Sequence, residues 1–393
     1  MTKITEVEIV EFSFKARNIG RSAENARAIY NIGYKPNSEL ELTKFAIVIR
    51  SDDGAEGQYV MHWGGTRATM AQTLSLAPNI LGRNPDHREE IWNDMKRELR
   101  QHDGMGIGPI DIALWDLAGK RFGASVSQLL GGFRSKLKTY ASTYHGDRNG
   151  GLDSPQAFVD FAEHCYDLGY RAYKVHGWHD GDPREEAANV LHVAKAVGDR
   201  MTLMLDPANE LRTFADALYV GRACDEGNYF WYEDPMRDCG TSAFAHKKLR
   251  EALKTPILQT EYLRGFEPKA DFLINGGTDA LRSDPEYDLG ITGAMKIAHL
   301  AEAFGVDVEI HACGPAHRHC MAATRNTNFY ELALVGPDCP NAVPPVYACG
   351  YSDQLDGVDK DGCFPVPTGP GLGVTYDWDY IRAHETAREV FKL

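Results

Sequence analysis

The sequence predicts an α/β fold, a (β/α)8-type TIM barrel with an α+β capping domain formed by the N-terminal region and the C-terminal tail. Three observations predict it. From about residue 137, short β-rich runs alternate with helix-length amphipathic segments. Residues 1–130 lack that rhythm. No GxGxxG follows the first strand, as a dinucleotide-binding open sheet would require. At 393 residues the chain exceeds the roughly 250–300 at which one core stops growing, so a large domain plus a smaller one is expected. The expected division is a capping domain at 1–130, a barrel at 131–355 and a tail at 356–393 that packs back on the cap.

In the N-terminal region, residues 3–12 and 42–50 read as strands, Asp52-Asp53-Gly54 as a turn, and residues 86–120 as helical. The barrel strands then follow in order: LKTYAS (137–142), RAYKVH (171–176), MTLMLD (201–206), YFWYE (229–233), PILQTE (256–261), ALRSD (280–284), VDVEIH (306–311) and FYELAL (329–334). Helical segments such as PQAFVDFAEHCYDLG and ITGAMKIAHLAEAFG lie between them, with Gly where a helix stops. Eight such units favour a closed parallel barrel over an open doubly wound sheet. The stretch after 335 is rich in Pro, Gly and aromatics, and GCFPVPTGPGLGVTYDWDYI belongs outside the barrel.

A formal net charge of −14, with no basic run interleaved with aromatics, argues against nucleic acid as a partner. No segment approaches ~18 uncharged apolar residues and the start lacks an apolar h-region, so neither membrane insertion nor export is expected, and a cytoplasmic protein is. The eight cysteines form no CxxC pairs, which suits reduced thiols better than disulfides or a zinc site. Cys313 reads as a small buried hydrophobe.

The ionisable residues decide the function class. Strand candidates 3 to 7 each end in one: Asp206, Glu233, Glu261, Asp284 and His311. Chemistry in such barrels sits at the carboxyl ends of the strands. Three carboxylates converging there would repel one another unless they shared a cation, and oxygen-only ligation suits Mg²⁺, with Mn²⁺ also possible. The alternative is that Asp206, Glu233 and Glu261 are salt-bridged to loop Lys or Arg. In the second strand Lys174 and His176 stand at i and i+2 and point to one side. Lys174 suits stabilisation of an oxyanion, and an imidazole, ordinarily titrating near 6.5, can serve as a neutral base. Asp284 and His311 end neighbouring strands, close enough for the carboxylate to accept the His311 Nδ1 proton. His317 and His319 read as solvated loop residues.

Taken together, these features resemble the enolase superfamily, specifically its mandelate racemase subgroup, which includes many acid-sugar dehydratases. The carriers of the resemblance are GMGIGPIDIALWDLAGKRFGASVSQLLGG (104–132), the Lys-x-basic pair at 174 and 176, the three acids, the Asp284/His311 pair, Glu331 in FYELAL and the tail TGPGLGVTYDWD. The resemblance implies a cap closing over a barrel, Mg²⁺ held by Asp206, Glu233 and Glu261, removal of the proton alpha to a carboxylate through an enediolate, and Glu331 as an acid near that carboxylate. It also implies Lys174 and His176 on one face of the substrate and the Asp284–His311 dyad on the other. Two departures stand out: His176 occupies a position where the subgroup usually has a second Lys, and Ala208 one where it often has Asn, with Asn209 next to it.

A racemase that needs Lys as one of its two bases is therefore disfavoured, and dehydration of a sugar acid (an aldonate or aldarate) to a 2-keto-3-deoxy acid is preferred, with His311 or His176 protonating the leaving hydroxyl. Racemase or epimerase activity, cycloisomerisation of a carboxylate substrate, and an inactive barrel acting as a binding protein stay open. A metal-independent glycosidase would need only two flanking acids. Candidate contacts to the far end of the substrate are Arg17, Arg21, Tyr34, Lys35, His62 and Trp63 in the cap, Tyr144 and His145 at the first barrel strand, and Asn209. The expected partner is a small-molecule carboxylate, and a homo-oligomer is expected.

Overall fold

In the computed structural model, which describes residues 2–20, 33–146, 151–178, 181–237, 242–339 and 343–393, the N-terminal region builds an antiparallel sheet. β1 (Ile4–Gly20) and β2 (Gly33–Ser51) pair along most of their length, and β3 (Glu56–Val60) adds to the far side of β2. Alternation explains the pairing. Val10, Phe12, Phe14 and Ala16 are buried while Glu11, Ser13, Lys15 and Arg17 face outward. The expected turn at Asp52-Asp53-Gly54 links β2 to β3, with Gly54 at φ +85°. The helix Ile107–Phe122 lies on this sheet so closely that a Cβ at Gly57 would stand 1.9 Å from the Ala113 carbonyl oxygen.

The barrel strands are β4 (Lys136–Thr143), β5 (Ala172–Val175), β6 (Thr202–Leu205), β7 (Trp231–Glu233), β8 (Ile257–Gln259), β9 (Ala280–Ser283), β10 (Val308–Ile310) and β11 (Tyr330–Val335). Each lies within a run read from the sequence or one residue beyond it. Consecutive strands pair in parallel from β4 to β10, and β11 returns to pair with β4. β10 and β11 lie side by side, and the Ala312 N–H donates to Glu331 Oε2 (2.7 Å) across that seam. Ser154 caps the helix Pro155–Leu168, which ends at Gly169 (φ +117°), and Gly305 (φ +71°) ends Gly290–Phe304.

The tail has two destinations. β12 (Cys363–Pro365) pairs antiparallel with the foot of β4, and β13 (Glu385–Lys392) joins the cap sheet beside β1. None of the described helices is long and apolar enough to cross a membrane.

Inside the barrel, Tyr140, Ala172, Met204, Trp231 and Leu258 form an apolar floor, with Ala280 and Phe329 packed against it. Side chains two residues on point the same way. The next layer toward the carboxyl ends is therefore Ser142, Lys174, Asp206, Glu233, Thr260, Arg282 and Glu331. One step along seven strands converts an apolar floor into a charged surface.

Candidate active site

The charged layer is buried and mutually bonded. Lys174, 1% exposed, places Nζ 2.9 Å from Glu233 Oε2, 2.8 Å from Glu331 Oε1 and 3.1 Å from Asp206 Oδ2. Burial opposes its charge, but Glu233, Glu331, Tyr140 and Asp206 prevail and hold the ammonium well above its ordinary range. Arg282, fully buried, forms an ion pair with Glu233 (2.7 Å from Nε to Oε1), donates to Glu331 Oε2, and also donates to the Tyr140 hydroxyl at 3.0 Å. Burial acts against Glu331 as a carboxylate, yet Arg282 and Lys174 keep it well below the usual range.

Asp206, Glu233 and Glu261 each offer an oxygen within 4.8 Å of the others. Glu233 ends β7 and Asp206 follows β6 directly. Glu261 is out of phase with the inward layer, where Thr260 should stand. Thr260 has φ +92°, and this left-handed step turns the chain so that Glu261 takes its place at the mouth. Asp234 (φ +38°), Ala208, Asn209 and Ala312 make similar turns after β7, β6 and β10. Backbone strain of this kind gathers at functional sites.

The expected mutual repulsion of the acids is only partly observed. Burial would push Asp206 up, but Lys174 and His176, with Nε2 3.1 Å away, hold it down. Glu233 is raised, mainly by burial. Next to them Asp234 is raised well above the carboxylate range by burial and then by Glu261, Asp206 and Glu233, and its Oδ1 has no hydrogen-bond partner among the described residues. A carboxyl whose charge is disfavoured by burial and by three neighbouring acids marks a cluster short of positive charge. The oxygen-only donor set fits a hard divalent ion.

On the far side Asp284 accepts from two imidazoles. His311 Nδ1 lies 2.6 Å from Oδ2, and His317 Nε2 lies 3.1 Å from Oδ1. Burial would raise Asp284, but His317 and His311 keep it well below the usual range. His311 therefore turns Nε2 toward the acids, 3.5 Å from Glu261 Oε2. Burial works against its charge, but Glu261 and Asp284 outweigh it and push the imidazole up to about 9. The reading of His317 and His319 as solvated loop residues is corrected. Both are fully buried on the helix Pro315–Ala323, and His319 Nδ1 accepts from the Ser127 N–H while Nε2 donates to the Leu372 carbonyl. A Gly-Pro start three residues after His311 sets off a new helix that the sequence pattern hides.

A cavity of about 590 Å³ joins these groups to the cap. Its barrel wall carries Lys174, His176, Asp206, Glu261, His311 and Glu331, and its cap wall runs along residues 41–44 and 62–67. Of the expected substrate contacts, His62, Trp63 and His145 line it. The nitrogens of His62 are already engaged, Nε2 with the Tyr347 hydroxyl (2.7 Å) and Nδ1 with the Cys313 carbonyl (3.3 Å). Arg17, Tyr34, Lys35, Tyr144 and Asn209 are not on the wall, which corrects those five expectations. Arg17 points outward from β1, and Tyr34 packs under Gly151 and Gly336. Ala208 takes the wall position beside Asp206. Arg21 lies outside the described residues.

Sequence reasoning passed over Arg282, Asp234 and Lys44, and set His317 aside as a loop residue. Arg282 had a signal, since it shares the face of Asp284 two residues on within ALRSD. Asp234 had none, because only its backbone turn brings it inward.

Two family descriptions match the chain: "Mandelate racemase / muconate lactonizing enzyme, N-terminal domain" over residues 40–131, and "Enolase C-terminal domain-like" over residues 157–380. The chain belongs to the mandelate racemase subgroup of the enolase superfamily. Members similar to it include the L-talarate/galactarate dehydratase of Salmonella typhimurium, 31% identical over 72% of this chain and 71% of its own. The D-galactarolactone cycloisomerase of Agrobacterium fabrum is 28% identical over 85% of this chain and 89% of its own. Among solved members of the superfamily, D-glucarate dehydratase from Agrobacterium tumefaciens, complexed with magnesium, superposes with a TM-score of 0.83 at 27% identity, covering 98% of this chain and 99% of that one.

Proposed function

We propose that this protein is a Mg²⁺-dependent dehydratase of sugar acids, converting an aldonate or aldarate to a 2-keto-3-deoxy acid. The observation that carries the reading is that His311, held by Asp284, shares one cavity with Asp206 and Glu261 of the group Asp206, Glu233 and Glu261. Asp206, Glu233 and Glu261 would hold the ion, which when bound supplies a positive charge that stabilises the enediolate formed from the substrate carboxylate.

The chain's own groups do the rest. Lys174 and Arg282 keep Glu331 ionised and fixed between them, so Glu331 presents an ordered acceptor at the closed end of the cavity. His176, at the end of β5, takes the proton alpha to the carboxylate. His311 donates its Nδ1–H to Asp284 and, as the imidazolium that Glu261 and Asp284 favour, carries a second proton on Nε2, which it delivers to the departing β-hydroxyl. The cap wall closes the cavity over the substrate and keeps bulk water from the reacting carbon.

The test is incubation of acid sugars with Mg²⁺ in D₂O, following 2-keto acid formation together with deuterium uptake at the α-carbon. His311→Asn is expected to lower keto acid formation by about 10³-fold while exchange persists, and His176→Ala to abolish both. If both variants kept turnover and exchange, the assigned groups would be wrong. A second reading, cycloisomerisation, is favoured by the likeness to the Agrobacterium fabrum cycloisomerase over most of both chains. It predicts a product that has lost no water, which the same incubation reads by mass.

A further inference from the structure

Among the described residues of the cap wall, one cation has no counter-ion. Lys44 on β2 stands opposite Phe12 in the ladder, and cross-strand partners share a face, so it points inward with the buried Phe12 rather than outward with Lys15 and Arg17. Its stem runs over Gly65, where an added Cβ would lie 3.1 Å from Lys44 Cδ. It lines the same cavity as the carboxylate group and His311. Burial lowers its ammonium to about 8, with Glu286 pulling weakly the other way.

Glu286 does not serve as its partner. One oxygen accepts from the Tyr59 hydroxyl (2.6 Å) and the His62 N–H (2.7 Å), and the other from the Gly64 N–H (2.6 Å). Glu41, the remaining acid on the cap wall, is opposite exposed Lys15. The other wall cations are engaged. Arg67 lies 3.6 Å from Glu11, and Arg264 donates to the Glu261 carbonyl and stacks on the Tyr287 ring. Among the described residues Lys44 has no ion pair. A half-buried ammonium on the cavity wall with no anion beside it is placed to receive one from a ligand.

We propose that Lys44 binds an anionic group at the end of the substrate remote from Asp206, Glu233 and Glu261, so that the preferred substrates are dicarboxylic sugar acids (aldarates) rather than aldonates. One carboxylate of such a molecule would lie at the barrel acids and the other at β2. This rests on the sugar-acid reading above and narrows it.

The test uses matched pairs that differ only at the terminal carbon, galactarate against galactonate and glucarate against gluconate. Affinity is titrated with Mg²⁺ through tryptophan fluorescence in the His311→Asn background, so that binding is read without turnover. For at least one pair the diacid should bind on the order of 100-fold tighter than the monoacid. Adding Lys44→Met should collapse that ratio to below about 5-fold, and Lys44→Arg should restore much of it. A ratio near one with Lys44 present, a ratio that survives Lys44→Met, or no binding of either pair overturns the proposal. If a Lys44-dependent ratio appears while no acid yields a keto acid or exchanges its α-proton, the dehydratase reading fails and the diacid site stands.

Discussion

The two walls of the cavity are built on opposite principles. On and directly beneath the barrel wall, Lys174, Glu233, Arg282 and Glu331 are at most 1% exposed and each is held by at least two oppositely charged groups. On the cap wall, charges are few, Lys44 stands alone, and polar groups such as His62 are tied to backbone or phenol partners. These four positions hold charge rigidly because each is fixed by more than one partner. The cap wall leaves room for recognition. Chemistry should therefore reside in one wall and selectivity in the other.

Metal removal should have the largest effect. Chelation should reduce keto acid formation to background, and Mg²⁺ should restore it. Full activity after chelation would break the comparison, because the barrel wall would then be only a structural ion-pair network. Next comes Glu331→Gln, which leaves Lys174 and Arg282 each one buried partner short. It should destabilise the fold by about 3–5 kcal/mol in denaturant titration as well as suppress turnover. A small stability change would mean that the network is not over-determined.

A smaller effect is expected one step behind the dyad. His317→Gln removes one donor from Asp284, so kcat should fall about 10-fold with KM little changed. A change confined to KM would instead place His317 in the recognition set. The smallest effect belongs to the cap wall. Trp63 lines the cavity and its indole Nε1 has no partner among the described residues, so Trp63→Phe should raise KM by a few-fold, the worth of one hydrogen bond, with kcat preserved. An equal loss in kcat would remove the distinction between the walls.

The barrel's eight strands were legible because apolar runs of strand length recur between amphipathic helical segments, and that pattern is local. The acids at the strand ends were legible for the same reason, since a charge closing a buried run is conspicuous. Lys174, Asp206, Glu233 and Glu331 share an inward layer by the period of two alone, and the Asp284–His311 contact follows from neighbouring strands.

Other features depended on three-dimensional context. Glu261 reaches the mouth through a left-handed Thr260, a backbone choice that residue type does not announce. His317 looked like a loop residue until the helix Pro315–Ala323 buried it against Asp284. The cap contacts expected from polar and aromatic composition went mostly elsewhere, and Lys44, in a strand that reads as ordinary sheet, came to the cavity instead. Strand rhythm and residue chemistry reside within a few neighbouring positions, so the chain alone determined the barrel and its acids. Which groups face one another across 242 residues from Lys44 to Glu286, or 142 from Tyr140 to Arg282, is decided by closure of the barrel and docking of the cap, and only the tertiary structure contains it.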